Sequence, residues 1–108
     1  MDAARTLHLV ELLLPVYDGA GTRFPQALFD LTAGELTRRF GGLTAHVRAP
    51  AAGLWQEEPG RTQRDDIVIY EVMVEGLEPE WWAAYRRSLE RRFAQEELVI
   101  RAQEIRRL

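Results

Sequence analysis

Two glutamates with matching surroundings are the residues of this sequence best placed to do chemistry. Leu7-Leu9-Glu11-Leu13 and Ile67-Ile69-Glu71-Met73 repeat one order, apolar, apolar, Glu, apolar, at every second position. On neighbouring strands that spacing sets both carboxylates on one sheet face among aliphatic side chains. Like charges held close and partly desolvated raise the pKa of one of them, as general acid–base work requires. His46 is the third candidate for a catalytic role. Arg48 beside His46, or Arg101 and Gln103 on the last strand, could face the same space, and the two arginines are candidate ligand contacts. The plainer role of the pair is structural, with each Glu met by an Arg of its own sheet or of a second copy.

Composition removes most other chemistry. The 108 residues contain no Cys, Lys or Asn, all fourteen basic residues are Arg, and Ser88 is the only serine. Thiol catalysis, disulfides and Cys-ligated metals are therefore excluded. So are a Schiff-base lysine and a P-loop lysine. Ser88 sits between Arg87 and Leu89 without the G-x-S-x-G turn of a serine hydrolase. The Arg excess accompanies Ala and Leu excess and reads as compositional drift, not as selection for anion binding. A net charge of −3 argues against a general nucleic-acid binder. With two His, a metal site would depend on carboxylates such as Glu57-Glu58 and Asp65-Asp66. Adjacent acids in a loop are ordinarily solvated, so no metal and no cofactor is expected. The apolar run Leu7–Val16 is too short, and too interrupted by His8 and Glu11, for a membrane span or a secretory segment. The expected compartment is the cytoplasm.

The elements that would position these residues follow from periodicity. Thr6–Leu14 is a dense apolar run of strand length ended by Pro15. Phe29, Ala33, Leu36 and Phe40 mark one stripe of a helix over Pro25–Phe40, stopped by Gly41-Gly42. Leu43–Ala49 reads as a second strand, residues 49–66 as a hairpin tip with Pro-Gly at 59–60, and Ile67–Val74 as a β-branched third strand. Pro79 fits an early position of a second helix, whose buried stripe is Trp82, Tyr85, Leu89 and Phe93. Leu98–Ile105 supplies the last strand. With no linker or repeat, residues 1–108 read as one domain.

The order β-α-β-β-α-β is that of the ferredoxin-like α+β sandwich, a four-stranded antiparallel sheet with two helices on one face. The first and third strands are expected as central neighbours, running parallel to each other. Val10-Leu12-Leu14 and Val68-Tyr70-Val72-Val74 would lie beneath the helices, leaving the Glu-bearing sets on the open face. A largely apolar open face predicts a partner, here a homodimer formed sheet to sheet. Paired aromatics on the central strands, which an RNA-binding sheet needs, are absent from that face, so no nucleic-acid partner is expected.

Arg39-Phe-Gly-Gly42, Thr44, Gly53-Leu-Trp55, Gly60 and Asp66-Ile-Val-Ile69 form an ordered series. It resembles a family of small uncharacterised bacterial domains with an R-F-G-G, T, G-x-W pattern over about residues 7–75. The resemblance implies a ferredoxin-like fold of the dimeric α/β barrel type and no established activity. Trp55 would then be a lid or packing anchor at the sheet edge, and a candidate ligand contact. The loop Asp18-Gly-Ala-Gly-Thr-Arg23 is also similar to the anion-binding loop of acylphosphatases, which makes Arg23 a candidate ligand contact. That family also uses an Asn on its second strand. This chain has none, so its mechanism does not carry over.

Two functions remain from different classes. One is a dimeric domain binding a small organic molecule in a cavity over the sheet, with cofactor-free acid–base chemistry by Glu11, Glu71 and His46. The other is a non-catalytic interaction or regulatory module whose apolar face serves only dimerisation.

Overall fold

The computed structural model describes residues 6–48 and 67–108. Its elements are β1 (Thr6–Pro15), α1 (Gln26–Phe40), β2 (Thr44–Arg48), β3 (Ile67–Val74), α2 (Pro79–Arg92) and β4 (Ile100–Arg106). They build the ferredoxin-like α+β sandwich, with the strands in the order β2-β3-β1-β4.

Every neighbouring pair is antiparallel, including β1 with β3. The expectation of a parallel central pair is therefore wrong, and connectivity explains why. Helix α1 carries the chain back so that β1 and β2 run in the same direction. β3 runs against β2 and takes the place between them. The crossover rule for parallel strands applies to β1 and β2, which are not neighbours.

One sheet face carries the core. Val10, Leu12 and Leu14 of β1 and Tyr70, Val72 and Val74 of β3 are buried against Phe29 and Leu36 of α1 and Trp82 and Leu89 of α2. Phe93, just past α2, is fully buried, with its ring 5.4 Å from that of Phe24 and 5.2 Å from that of Phe29. Removing a ring so enclosed costs about 3–5 kcal/mol.

The helix ends follow local chemistry. Gly41 takes φ 83°, and its N–H reaches the Thr37 carbonyl at 2.8 Å, closing α1 in the left-handed conformation glycine adopts freely. Pro25 stands one residue before α1, not inside its first turn. Pro79 opens α2 and Glu80 lies in its positive first turn. β4 begins at Ile100, two residues later than the apolar run predicts. The Leu98 N–H is taken by the Glu90 carboxylate at 3.0 Å, and the Leu98 side chain turns into the core. Among the described residues, no helix is long and apolar enough to cross a membrane.

Candidate functional site

The register sets Glu11 directly opposite Glu71, at the middle of the face that the helices do not cover. The same row continues outward through both edge strands, since Thr44 stands opposite Glu71 and Arg101 opposite Glu11. Pairs directly opposite in antiparallel strands share a face, so all four side chains project from the open side. His46 stands opposite Ile69, one same-face position along from Thr44.

Each carboxylate has its own partner. Arg101 Nε donates to Glu11 Oε1 at 2.9 Å, and His46 Nε2 lies 2.7 Å from Glu71 Oε1. The acids are 17% and 20% exposed, whereas Arg101 and His46 are each 52% exposed. The result is an acidic centre screened by its aliphatic neighbours and flanked by two groups in contact with water. The Arg101 hydrogen bond holds the Glu11 carboxyl below the usual carboxylate range. A hydrogen bond with Glu71 acts in the same direction, and burial opposes both.

The rest of the face is largely apolar. Leu7 and Ile69 are buried although they lie on the face opposite the helices. Leu9, Leu13, Ile67 and Ile105 are half-buried, while Met73 and Val99 are exposed. Gln103, opposite Leu9, is an exposed polar side chain of the same face. Arg48 holds the register position opposite Ile67 at the end of β2.

The other candidates separate from this row. Arg23 is exposed beyond the end of β1, and its backbone bridges to Tyr17. Pro15 already lies four residues from Glu11, about 13 Å at the rise of a strand. The loop before Arg23 is organised by Asp18. Its carboxylate accepts from the N–H of Ala20 at 2.9 Å and of Thr22 at 2.8 Å. The Asp18 and Gly21 N–H groups bond within the same turn. Its amides thus serve a carboxylate of the chain itself, so the loop is an Asx-type turn. Trp55, Glu57, Glu58, Asp65 and Asp66 lie outside the described residues. Among the described residues, no group of three or more His, Asp or Glu side chains is placed to hold a metal.

Two features escaped the sequence reading. Thr32, polar and fully buried, donates to the Leu28 carbonyl and accepts from Arg92, which also forks onto Glu35. A buried Thr on the apolar stripe of a helix is the sequence signal for such a network. The second feature is an open groove of about 520 Å³ at the far end of β3, lined by Arg39, Phe40, Met73 and Glu78 among others. Arg39 lies 4.0 Å from the Trp81 ring centroid and 3.2 Å from Glu78. Met73, which also follows Glu71 at the next same-face position of β3, brings one side of this groove to the edge of the open face.

No family model matches the chain, and no curated protein matches it. Among solved structures, the chain is similar to a phage SAM lyase in complex with S-methyl-5'-thioadenosine. The two share 16% identity at a TM-score of 0.56, over 100% of this chain and 90% of the other. The likeness is one of fold, and the neighbour carries a small organic ligand on that fold.

Proposed function

We propose that the chain is a homodimeric ligand-binding domain whose open sheet face encloses a small organic molecule against Glu11 and Glu71. The same pair supplies acid–base chemistry without a cofactor. The observation that carries this reading is the direct opposition of the two carboxyls in the middle of an otherwise apolar face. Two acids gain nothing as a packing surface, whereas they suit a ligand that brings a proton or a positive charge. Aliphatic surroundings strengthen that attraction by keeping water away. The fold neighbour supports the class of ligand: it is a lyase of SAM, a sulfonium cation, and holds an adenine thioether. His46 and Arg101 border the pair and would contact the ligand's edge, and Arg48 holds a register position further along β2.

A second reading draws on a different observation. Each acid already has a partner within its own sheet, as a purely structural pair would. In that case the face serves dimerisation alone, and the domain is a non-catalytic interaction module.

Calorimetry with S-methyl-5'-thioadenosine and with SAM separates the two. Binding that falls at least tenfold in Glu11→Ala and Glu71→Ala supports the ligand site. Binding indifferent to both substitutions, or none to either probe, leaves the interaction module. Molar mass in solution tests the shared premise, and a strict monomer at micromolar concentration overturns the dimer.

A further inference from the structure

Arg101 and His46 approach the carboxyl pair from opposite edges of the sheet, and they differ in kind. A guanidinium stays charged throughout the working range of a protein, so Glu11 always faces a full positive charge through the 2.9 Å bond. An imidazole gains and loses its proton near neutrality, so Glu71 faces a partner whose charge changes with conditions. The 2.7 Å separation of His46 Nε2 from Glu71 Oε1 brings the two within range for proton exchange, and in the single chain the half-exposed ring connects them to water.

We propose that Arg101 and His46 divide the two carboxyls by role, Arg101 fixing Glu11 as the acceptor and His46 making Glu71 the carboxyl that gives and takes the proton. This rests on the site reading above and adds an order to it. In the resulting chain every donor points toward Glu11. The imidazole N–H donates to Glu71, a protonated Glu71 donates to Glu11, and Arg101 donates to Glu11 from the far side. Proton transfer at Glu71 then breaks its O–H bond and forms one to the ligand, and a proton returning through His46 restores it. Arg101 is a positioning residue in this scheme, acting through Glu11.

Among the described residues, few other titratable groups stand near the pair. On β2 the groups nearest Glu71 are Thr44, which does not titrate, and His46. Arg48 lies one same-face position beyond His46. On β3 and β1 the flanking same-face residues are Ile69, Met73, Leu9 and Leu13. On β4 they are Arg101 and, beside it, Gln103. The helices lie on the opposite face of the sheet. Among the described side chains, the basic groups beside the pair are thus one guanidinium and one imidazole.

Carboxyl-carbon NMR titration of the full chain, labelled at the Glu side chains, tests the assignment without a ligand. Of the two carboxyls in the wild type, Glu71 should be the first to take up a proton on acidification and Glu11 the second. Arg101→Gln should raise the Glu11 midpoint by about one pH unit, a tenfold gain in proton affinity. Arg101→Lys, which keeps the charge, should restore much of the difference. His46→Gln should move Glu71 and leave Glu11 nearly still. Amide spectra of each variant report whether the fold is kept, a readout a merely structural pair would move without reordering the two acids. Glu11 protonating first, or neither acid responding to Arg101→Gln, overturns the division of roles. If that happens while S-methyl-5'-thioadenosine still binds through the pair, only the division is lost. If the titration behaves as expected but neither probe binds, the division stands and the ligand reading falls.

Discussion

Glu11 and Glu71 face each other across β1 and β3, two carboxyls where antiparallel sheets ordinarily set opposite charges or apolar pairs. The opposition costs stability unless something offsets it, and Arg101 does so on one side only by a full charge. The two acids should therefore respond unequally to neutralisation. Glu71→Gln removes the like-charge pair while its amide can still donate to Glu11 and accept from His46. It should leave stability within about 0.5 kcal/mol of wild type, on either side. Glu11→Gln strips Arg101 of its charged partner and should cost about 1 kcal/mol, a modest figure because Arg101 is half exposed. Urea unfolding at neutral pH reads both. A larger loss in Glu71→Gln than in Glu11→Gln would contradict this account of the pair.

Acid should weaken the fold through the same residue. The folded Glu11 binds its proton less readily than an ordinary Glu, whose value is 4.5, because of Arg101 and then Glu71. Its contribution is complete above that ordinary value and is lost as pH falls through the lower, folded one. Arg101→Gln removes the main cause, so the fall in unfolding free energy below pH 4.5 should be shallower in the variant. Denaturant midpoints measured from pH 6 down to pH 3 provide the test. Parallel curves for the two proteins would show that the bond contributes nothing to folding.

Much of this architecture is legible in the sequence because alternation and helical spacing report which faces are buried. The repeated order around Glu11 and Glu71 placed both on the open face, and Phe29, Leu36, Trp82, Leu89 and Phe93 do reach the core. Arg101 was identifiable as a resident of that face, but its bond to Glu11 was not. A partner across two strands depends on register, which a one-residue slip would undo. The expected parallel direction of β1 and β3 has a different source: the crossover rule holds for β1 and β2, between which β3 lies. Thr32 sits on the buried stripe of α1, but the partner that satisfies its hydroxyl, Arg92, is sixty residues away in sequence. Composition cannot show that a hydroxyl on an apolar stripe will find a guanidinium.

The two glycines that end α1 should differ in their tolerance of a side chain. Gly41 sits at φ 83°, where an L-residue is strained whatever space surrounds it, and its N–H caps Thr37. Gly42 has no such φ, and a Cβ there meets nothing within 4 Å. Gly41→Ala should cost about 1–2 kcal/mol, and Gly42→Ala no more than about 0.5 kcal/mol. Thermal melts of the two variants compare them directly. Equal losses would mean that the pair acts through something other than helix termination.

The bond network joining the two helices should behave as a unit. Arg92 donates to both oxygens of Glu35 at 2.8 and 2.9 Å and to Thr32 Oγ1 at 2.8 Å, while the Tyr85 hydroxyl donates to Glu35 at 2.8 Å. Burial and then the Glu35 hydrogen bond push the Tyr85 phenol well above its ordinary value, and the Arg92 bond holds Glu35 below its own. Arg92→Met keeps the aliphatic stem but leaves Glu35 and the buried Thr32 hydroxyl without their shared donor, so it should cost about 2–3 kcal/mol. Thr32→Val also loses the bond to the Leu28 carbonyl and should cost about 1–2 kcal/mol. Because both act through one guanidinium, the double variant should lose less than the sum, with a coupling of at least about 0.5 kcal/mol. A double-mutant cycle by urea unfolding measures that coupling. Strict additivity would mean that Thr32 and Arg92 stabilise the helix pair independently, despite the bond between them.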